Sequence, residues 1–181
     1  MNNTIFISLA SYCDDMLEFT LKSAFNSAKN KENIFFGVVD QNHVNSRDTI
    51  KSLEFSNQIR YCHIFPDDSL GVSWARHLCF SLYNNEEYFL QVDSHTYFEE
   101  NWDENLIIQY KTLLGKSSKP IISTYPYGFS IEENNEITFK KPSGKTVLLL
   151  RPKKELKIDK QNIVLQFRAK HITSSEAILG C

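Results

Sequence analysis

The 181-residue sequence predicts an α/β fold built on a mainly parallel sheet, followed by an antiparallel C-terminal section. Three observations carry this expectation. Runs rich in β-branched and aromatic residues alternate with segments of helical spacing as far as Pro126, the rhythm of βαβ units. One run, "NIFFGVVDQN", is almost continuously apolar, as in a strand covered on both faces. Beyond Pro126 the helical spacing stops and short strand-like runs follow one another.

Taken in order, "TIFISLAS" reads as a strand, and the segment after it places Met16, Leu17, Leu21, Ala24, Phe25 and Ala28 near helical spacing. "NIFFGVVDQN" is the second strand, the polar stretch from His43 to Gln58 is ambiguous, and "QIRYCHIF" is the third strand, closed by Pro66. Asp68 or Ser69 is expected to cap a helix whose apolar stripe is Trp74, Leu78, Cys79 and Leu82, a core stripe. "EYFLQV" is the fourth strand, "NWDENLIIQYKTLLGK" a helix with Asn101 as its cap, and "KPIISTYP" a fifth strand. "EITFKK" and "TVLLLRP" are expected to pair as a hairpin around Ser143-Gly144, and "NIVLQFRAKHI" to add one more strand.

Composition narrows the function classes. With 41% hydrophobic and 23% charged residues, the chain has the make-up of a soluble folded protein, and its length suits one domain. A formal net charge of -2 argues against a dedicated nucleic-acid binder, which shows clustered Lys and Arg. Cys13, Cys62, Cys79 and Cys181 are scattered, with neither a Cys-x-x-Cys pair nor a zinc-type spacing, so they are read as thiols. No signal-peptide pattern opens the chain and no run approaches the ~18 apolar residues of a membrane span. The expectation is a cytoplasmic protein.

The chemistry-bearing stretch is "EYFLQVDSHTYFEENW", where a strand runs into Asp93-Ser94-His95. Ligands of open α/β sheets sit beyond the carboxyl ends of the strands. On an extended segment, residues two apart share a face, so Asp93 and His95 can address one ion while Ser94 turns away. A divalent cation with few protein ligands completes its shell with water and phosphate oxygens. A carboxylate favours Mg2+, and an added imidazole moves the preference toward Mn2+. The competing reading is a strand-end Asp that caps a turn beside a surface His. Spacing alone leaves both open.

The segments "TIFISLASYCD", "FFGVVDQ", "SLGVSWARHLCFSLYNNEEYFLQVDSHTYFEENWDENL" and "PIISTYPYGF" together resemble the polypeptide N-acetylglucosaminyltransferases that modify hydroxyproline on a cytoplasmic ubiquitin-ligase adaptor in protists, and their bacterial relatives. The resemblance covers about the first 130 residues. It implies a GT-A glycosyltransferase with a Rossmann-like nucleotide-binding half. Asp93 and His95 match the family's metal-binding Asp-x-Asp-type motif, so a Mn2+ or Mg2+ cofactor is implied. Ser8, Ala10, Ser11 and Tyr12 match the segment that meets the uridine, and Arg76 matches a basic residue that faces the phosphates. Asp93 and Arg76 are thereby the catalytic candidates, and retention of anomeric configuration is suggested.

Side-chain chemistry agrees with these assignments without requiring them. Tyr12 beyond a strand end can stack on a base, or cover the core edge. The Arg76 fork suits phosphate oxygens, yet an Arg on a solvated face is the ordinary case. Trp74 is core, and His43, His63 and His77 have no partners at ligand spacing. The expected reaction moves N-acetylglucosamine, or a related hexosamine, from a UDP-sugar to a hydroxyl of a protein or glycan acceptor. The alternative is a non-catalytic UDP-sugar-binding remnant or a subunit of a larger assembly. A nucleotidyltransferase is disfavoured, since 6 glycines form no phosphate loop. One domain is expected over 1–181, with a nucleotide-sugar half at 1–130 and the start of an acceptor half at 131–181. Because "SSEAILGC" reads like the entry to a buried element, that second half is expected to be incomplete and transfer by the chain weak.

Overall fold

The computed structural model describes residues 3–124, 126–134, 136–140, 146–152, 157–159, 162–164 and 167–173, with side chains described up to residue 140. The chain divides into two compact units, Met1–Gln109 and Tyr110–Cys181.

The first unit holds β1 (Ile5–Tyr12), α1 (Leu17–Ser27), β2 (Ile34–Gln41), α2 (Arg47–Lys51), β3 (Ile59–His63), α3 (Val72–Ser81) and β4 (Tyr88–Asp93). A further helix, α4 (Trp102–Leu114), begins in it. The sheet order is β3-β2-β1-β4 and every pairing is parallel. All four carboxyl ends therefore face one side, and Ala10 lies in register with both Val39 and Asp93.

Both sheet faces are covered, which explains why burial along β1 and β2 is nearly continuous rather than alternating. On one face Ile5, Ile7 and Leu9 pack with Leu17, Leu21, Phe25, Trp102 and Ile107. On the other, Val39 packs with Ala75 and Cys79 of α3, bordered by Ala10, Trp74, Leu78 and Leu82. The predicted stripe of α3 is thus on the core side. Burial pushes the Cys79 thiol up, and Cys13, Cys62 and Cys79 are all free thiols. β4 behaves differently. Tyr88, Leu90 and Val92 are half-buried against the first cluster, whereas Phe89, Gln91 and Asp93 are exposed. That parity directs Asp93 to the α3 side.

α1 and α4 are clamped together at their ends. Asp103, 1% exposed, accepts from the Lys29 and Asn30 backbone N–H groups (2.8 and 2.9 Å) and from Asn30 Nδ2 (3.0 Å), and Trp102 Nε1 donates to the Ala24 carbonyl (2.8 Å). Burial alone would raise the Asp103 carboxyl, but these donors hold it below the usual carboxylate range. Asp103→Ala leaves buried donors unpaired and is expected to destabilise the unit by about 2–4 kcal/mol at neutral pH. Because the folded value is the lower one, this contribution is complete above the usual carboxylate range, near pH ~4, and is lost as pH falls below it. Urea titrations of both chains at neutral and acid pH check this: the gap between them narrows in acid.

In the second unit the paired strands are antiparallel: β5 (Phe129–Ile131) with β6 (Ile137–Phe139), β7 (Thr146–Pro152) with β10 (Phe167–Thr173), and β8 (Lys157–Asp159) with β9 (Asn162–Val164). The fold class is α/β, a Rossmann-like parallel sheet followed by an antiparallel section, as predicted.

Several local expectations are corrected. The described residues of "KPIISTYP" hold one bridging residue, Ile121, and no strand; apolar composition favours extended backbone but cannot supply a partner. Ile137–Phe139 pairs backward with Phe129–Ile131, because a nearer turn at Glu133 and Asn134 lies between them, across which Glu132 N–H donates to the Glu136 carbonyl (2.9 Å). Ser143-Gly144, the predicted turn, lies outside the described residues. "NIVLQFRAKHI" supplies two strands rather than one. Asp68 and Ser69 do not cap α3, which starts after Gly71 at φ +97°, a left-handed value that suits glycine. Asn101 does stand immediately before α4, where the cap was expected, at φ +59°; its carbonyl accepts from the Asn105 N–H (3.1 Å) and its own N–H donates to the Ser27 carbonyl (2.7 Å). Among the described residues, no helix is long and apolar enough to cross a membrane.

Candidate functional site

β4 ends at Asp93, and Ser94 and His95 form a turn rather than an extension of the strand. The alternation argued from an extended segment therefore does not apply to His95, yet the outcome for exposure is the one expected. Asp93 and His95 side chains are each 64% exposed, and Ser94 between them is buried. The turn is tied down from inside. Thr96 Oγ1 donates to the Asp93 carbonyl (2.7 Å), Thr20 Oγ1 of α1 donates to the Ser94 carbonyl (2.6 Å), and Thr96 N–H donates to Thr20 Oγ1 (2.9 Å).

Arg76, off the apolar stripe of α3, reaches the exposed carboxylate. Its Nη2 lies 3.2 Å from Asp93 Oδ1. The structure thus brings together Arg76 and Asp93, two of the residues singled out from sequence. His95 turns to a residue that sequence reasoning left without a role, Asp14, whose Oδ2 lies 2.8 Å from His95 Nδ1. The same oxygen accepts from Ser94 Oγ (2.5 Å), and Oδ1 accepts from the Met16 N–H (2.9 Å). Burial would raise the Asp14 carboxyl, but the bonds from Ser94, His95 and Met16, with the imidazole's own charge, hold it below its ordinary value. An ionised carboxylate only accepts, so Nδ1 of His95 carries the shared hydrogen.

Asp14 belongs to a longer chain of contacts across the strand ends. Its N–H donates to Asn42 Oδ1 (2.7 Å), and Asn42 Nδ2 donates to Asp40 Oδ1 (2.6 Å). Asp40, fully buried at the end of β2, also accepts from the Tyr61 hydroxyl (2.6 Å). Burial first, then Asp40, raise the Tyr61 phenol above its ordinary value. A cleft of about 190 Å³ opens beside this chain, lined by Asp14, Asn42, Val44, Ser46, Thr49 and Ile50 among others. Neither Asp93 nor His95 lines it.

The four residues matched to a uridine segment do not share one environment. Tyr12 is 58% exposed at the end of β1 and Ala10 is half-buried. Ser11 is buried, its carbonyl accepting from Gln41 Nε2 (3.2 Å), and Ser8 is buried with no hydrogen-bond partner for Oγ among the described residues. Only Tyr12 offers an exposed side chain of substantial area there.

No cluster of three or more His, Cys, Asp or Glu suited to a metal ion occurs among the described residues. A two-ligand cation site remains compatible with the donor set. The Arg76 guanidinium occupies only Oδ1 of Asp93, and the ring held through Nδ1 leaves Nε2 of His95 for a ligand bond.

The family model described as Glycosyltransferase (GlcNAc) matches residues 4–56 and 44–178. The chain belongs to this GlcNAc glycosyltransferase family. Its membership extends well past the first 130 residues that carried the resemblance, through the strand pairs of the second unit. As a glycosyltransferase-family chain it has a glycosyl donor and an acceptor as its class of partners. No curated protein matches the chain. Asp14, Asp40, Asn42 and Tyr61 are what sequence reasoning missed. The only signal was position: "SYCD" and "VVDQN" both put a carboxylate at a strand end.

Proposed function

We propose that this chain transfers N-acetylglucosamine, or a related hexosamine, from a UDP-sugar to a hydroxyl, with a divalent cation held by Asp93 and His95. The observation that carries the reading is the grouping of an exposed carboxylate, a guanidinium 3.2 Å from it and an oriented imidazole at the carboxyl end of β4, in a glycosyltransferase-family chain. That is where open α/β sheets bind nucleotides. Arg76 directs its fork at phosphate oxygens, while Tyr12 presents an exposed ring on which a base can stack. When bound, Mn2+ or Mg2+ would supply Lewis-acid stabilisation of the charge that builds on departing UDP. The likeness of Asp93-Ser94-His95 and its surroundings to hydroxyproline-modifying enzymes makes a protein hydroxyl the first acceptor class to try, with glycans second.

The test is donor turnover. The chain incubated with UDP-GlcNAc and Mn2+ is expected to release free sugar and UDP slowly, and to do so faster with a hydroxyl-bearing acceptor peptide. Both are expected to stop on adding EDTA, as followed by mass spectrometry. Binding of UDP without any sugar release would favour a non-catalytic binding protein and overturn the proposal.

A further inference from the structure

We infer that Asp14 is a positioning residue for the cation site, setting the ring of His95 so that Nε2 faces the ion while Nδ1 is held from behind. The inference rests on the reading of Asp93 and His95 as the cation's ligands. An imidazole 64% exposed to solvent would ordinarily turn freely and exchange tautomers, which makes a poorly prepared ligand. Here Nδ1 is bound to a carboxylate whose side chain is only 16% exposed.

Asp14 does not depend on His95 for its own place. Met16 N–H holds Oδ1, Ser94 Oγ holds Oδ2, and Asn42 Oδ1 accepts the Asp14 backbone N–H. The carboxylate is therefore fixed before the imidazole meets it. Its grip on Ser94 also pins the residue between the two proposed ligands, so one side chain from the loop after β1 sets the turn at the end of β4 and the ring beyond it. A surface Asp–His pair kept only for stability contributes little, whereas outer-shell partners of metal-bound histidines typically alter metal affinity about 10–100-fold.

The experiment uses the full chain and Mn2+, with and without UDP. His95 resonances are assigned through His95→Gln, and the tautomer is read by long-range proton–nitrogen correlation in the metal-free protein. The parent chain is expected to show the Nδ1–H form. Asp14→Asn keeps Oδ1 for Met16 but turns an NH2 toward Nδ1, so the tautomer should reverse to Nε2–H and Mn2+ affinity should fall about 10–100-fold. Ser94→Ala removes the other bond to the same oxygen and is expected to leave the tautomer unchanged.

A parent chain in the Nε2–H form overturns the inference without need of any variant. So does unchanged Mn2+ affinity in Asp14→Asn, or loss of the tautomer in Ser94→Ala, which would assign the effect to the turn. If Mn2+ with UDP fails to broaden both Asp93 and His95 signals in the parent, the ligand reading itself falls. Broadening of both, with parent and Asp14→Asn equally tight, removes only the role of Asp14.

Discussion

Asp93→Ala is expected to abolish metal-dependent UDP binding. Taking one ligand from the proposed two-ligand site would leave diphosphate charge without its counter-ion, and the loss should exceed the ~10–100-fold typical of outer-shell changes. Calorimetry with UDP in Mn2+ or EDTA reads it: the parent shows a large difference between the two solutions and the variant shows none. Equal UDP affinity of the parent in Mn2+ and EDTA would remove Asp93 from the proposed role. Arg76→Ala, measured alongside, is expected to weaken UDP about tenfold or more while scarcely touching uridine, because only the former carries charges for the fork. Equal losses for both ligands would make Arg76 a packing residue.

Gly37→Ala is expected to be the most damaging small change in the sheet. Gly37 lies in β2, in register with Ser8 of β1, and a Cβ there would stand 2.2 Å from Cζ of Phe6 and 3.3 Å from the Cys79 carbonyl of α3. Phe6 cannot yield cheaply: it is fully buried, with Tyr83 and Phe89 at ring-centre distances of 5.6 Å and the Arg60 guanidinium 5.7 Å from its ring. Overpacking of this kind costs about 1–3 kcal/mol, occasionally more, and we place this site at about 3 kcal/mol. That corresponds to a fall in Tm of roughly 6–12 °C for a chain of this size. Thermal unfolding followed by circular dichroism decides it. Phe6→Leu added to Gly37→Ala should recover part of the loss, since the two clash directly. An unchanged Tm in Gly37→Ala would mean that the sheet relaxes more freely than its packing suggests.

The parallel half was legible because its signals are local. β1, β2, β3 and β4 and the helices α1, α3 and α4 each announce themselves by apolar run or period, and the burial of Leu17, Leu21, Ala24 and Phe25 follows the spacing read from sequence. What failed was pairing. "EITF" gives no sign whether it joins the run before it or the run after it, and both flanks offered turn residues. The candidate site divides in the same way. Asp93, His95 and Arg76 could be singled out by type and position, but the bond between His95 and Asp14 joins residues 81 apart. Nor could the sequence show that Ser8 and Ser11 would be buried while Tyr12 stayed open, since that depends on how closely α3 and β2 press against β1.

The sheet order has a bearing on how the protein comes to be made. β1 lies at its centre, hydrogen-bonded to β2 on one side and β4 on the other. Its first partner follows after a single helix, but Ile5 meets Tyr88 of its second partner only after most of the first unit has been synthesised. Until then "IFISLASY" is an uncharged, proline-free strand with one edge open, the kind of segment that joins wrong partners. Closure of a parallel sheet over such a separation is intrinsically slow. During synthesis, then, a segment prone to aggregation becomes one of the two interior strands of the finished sheet, and α1, β2 and α3 are its shelter before β4 emerges.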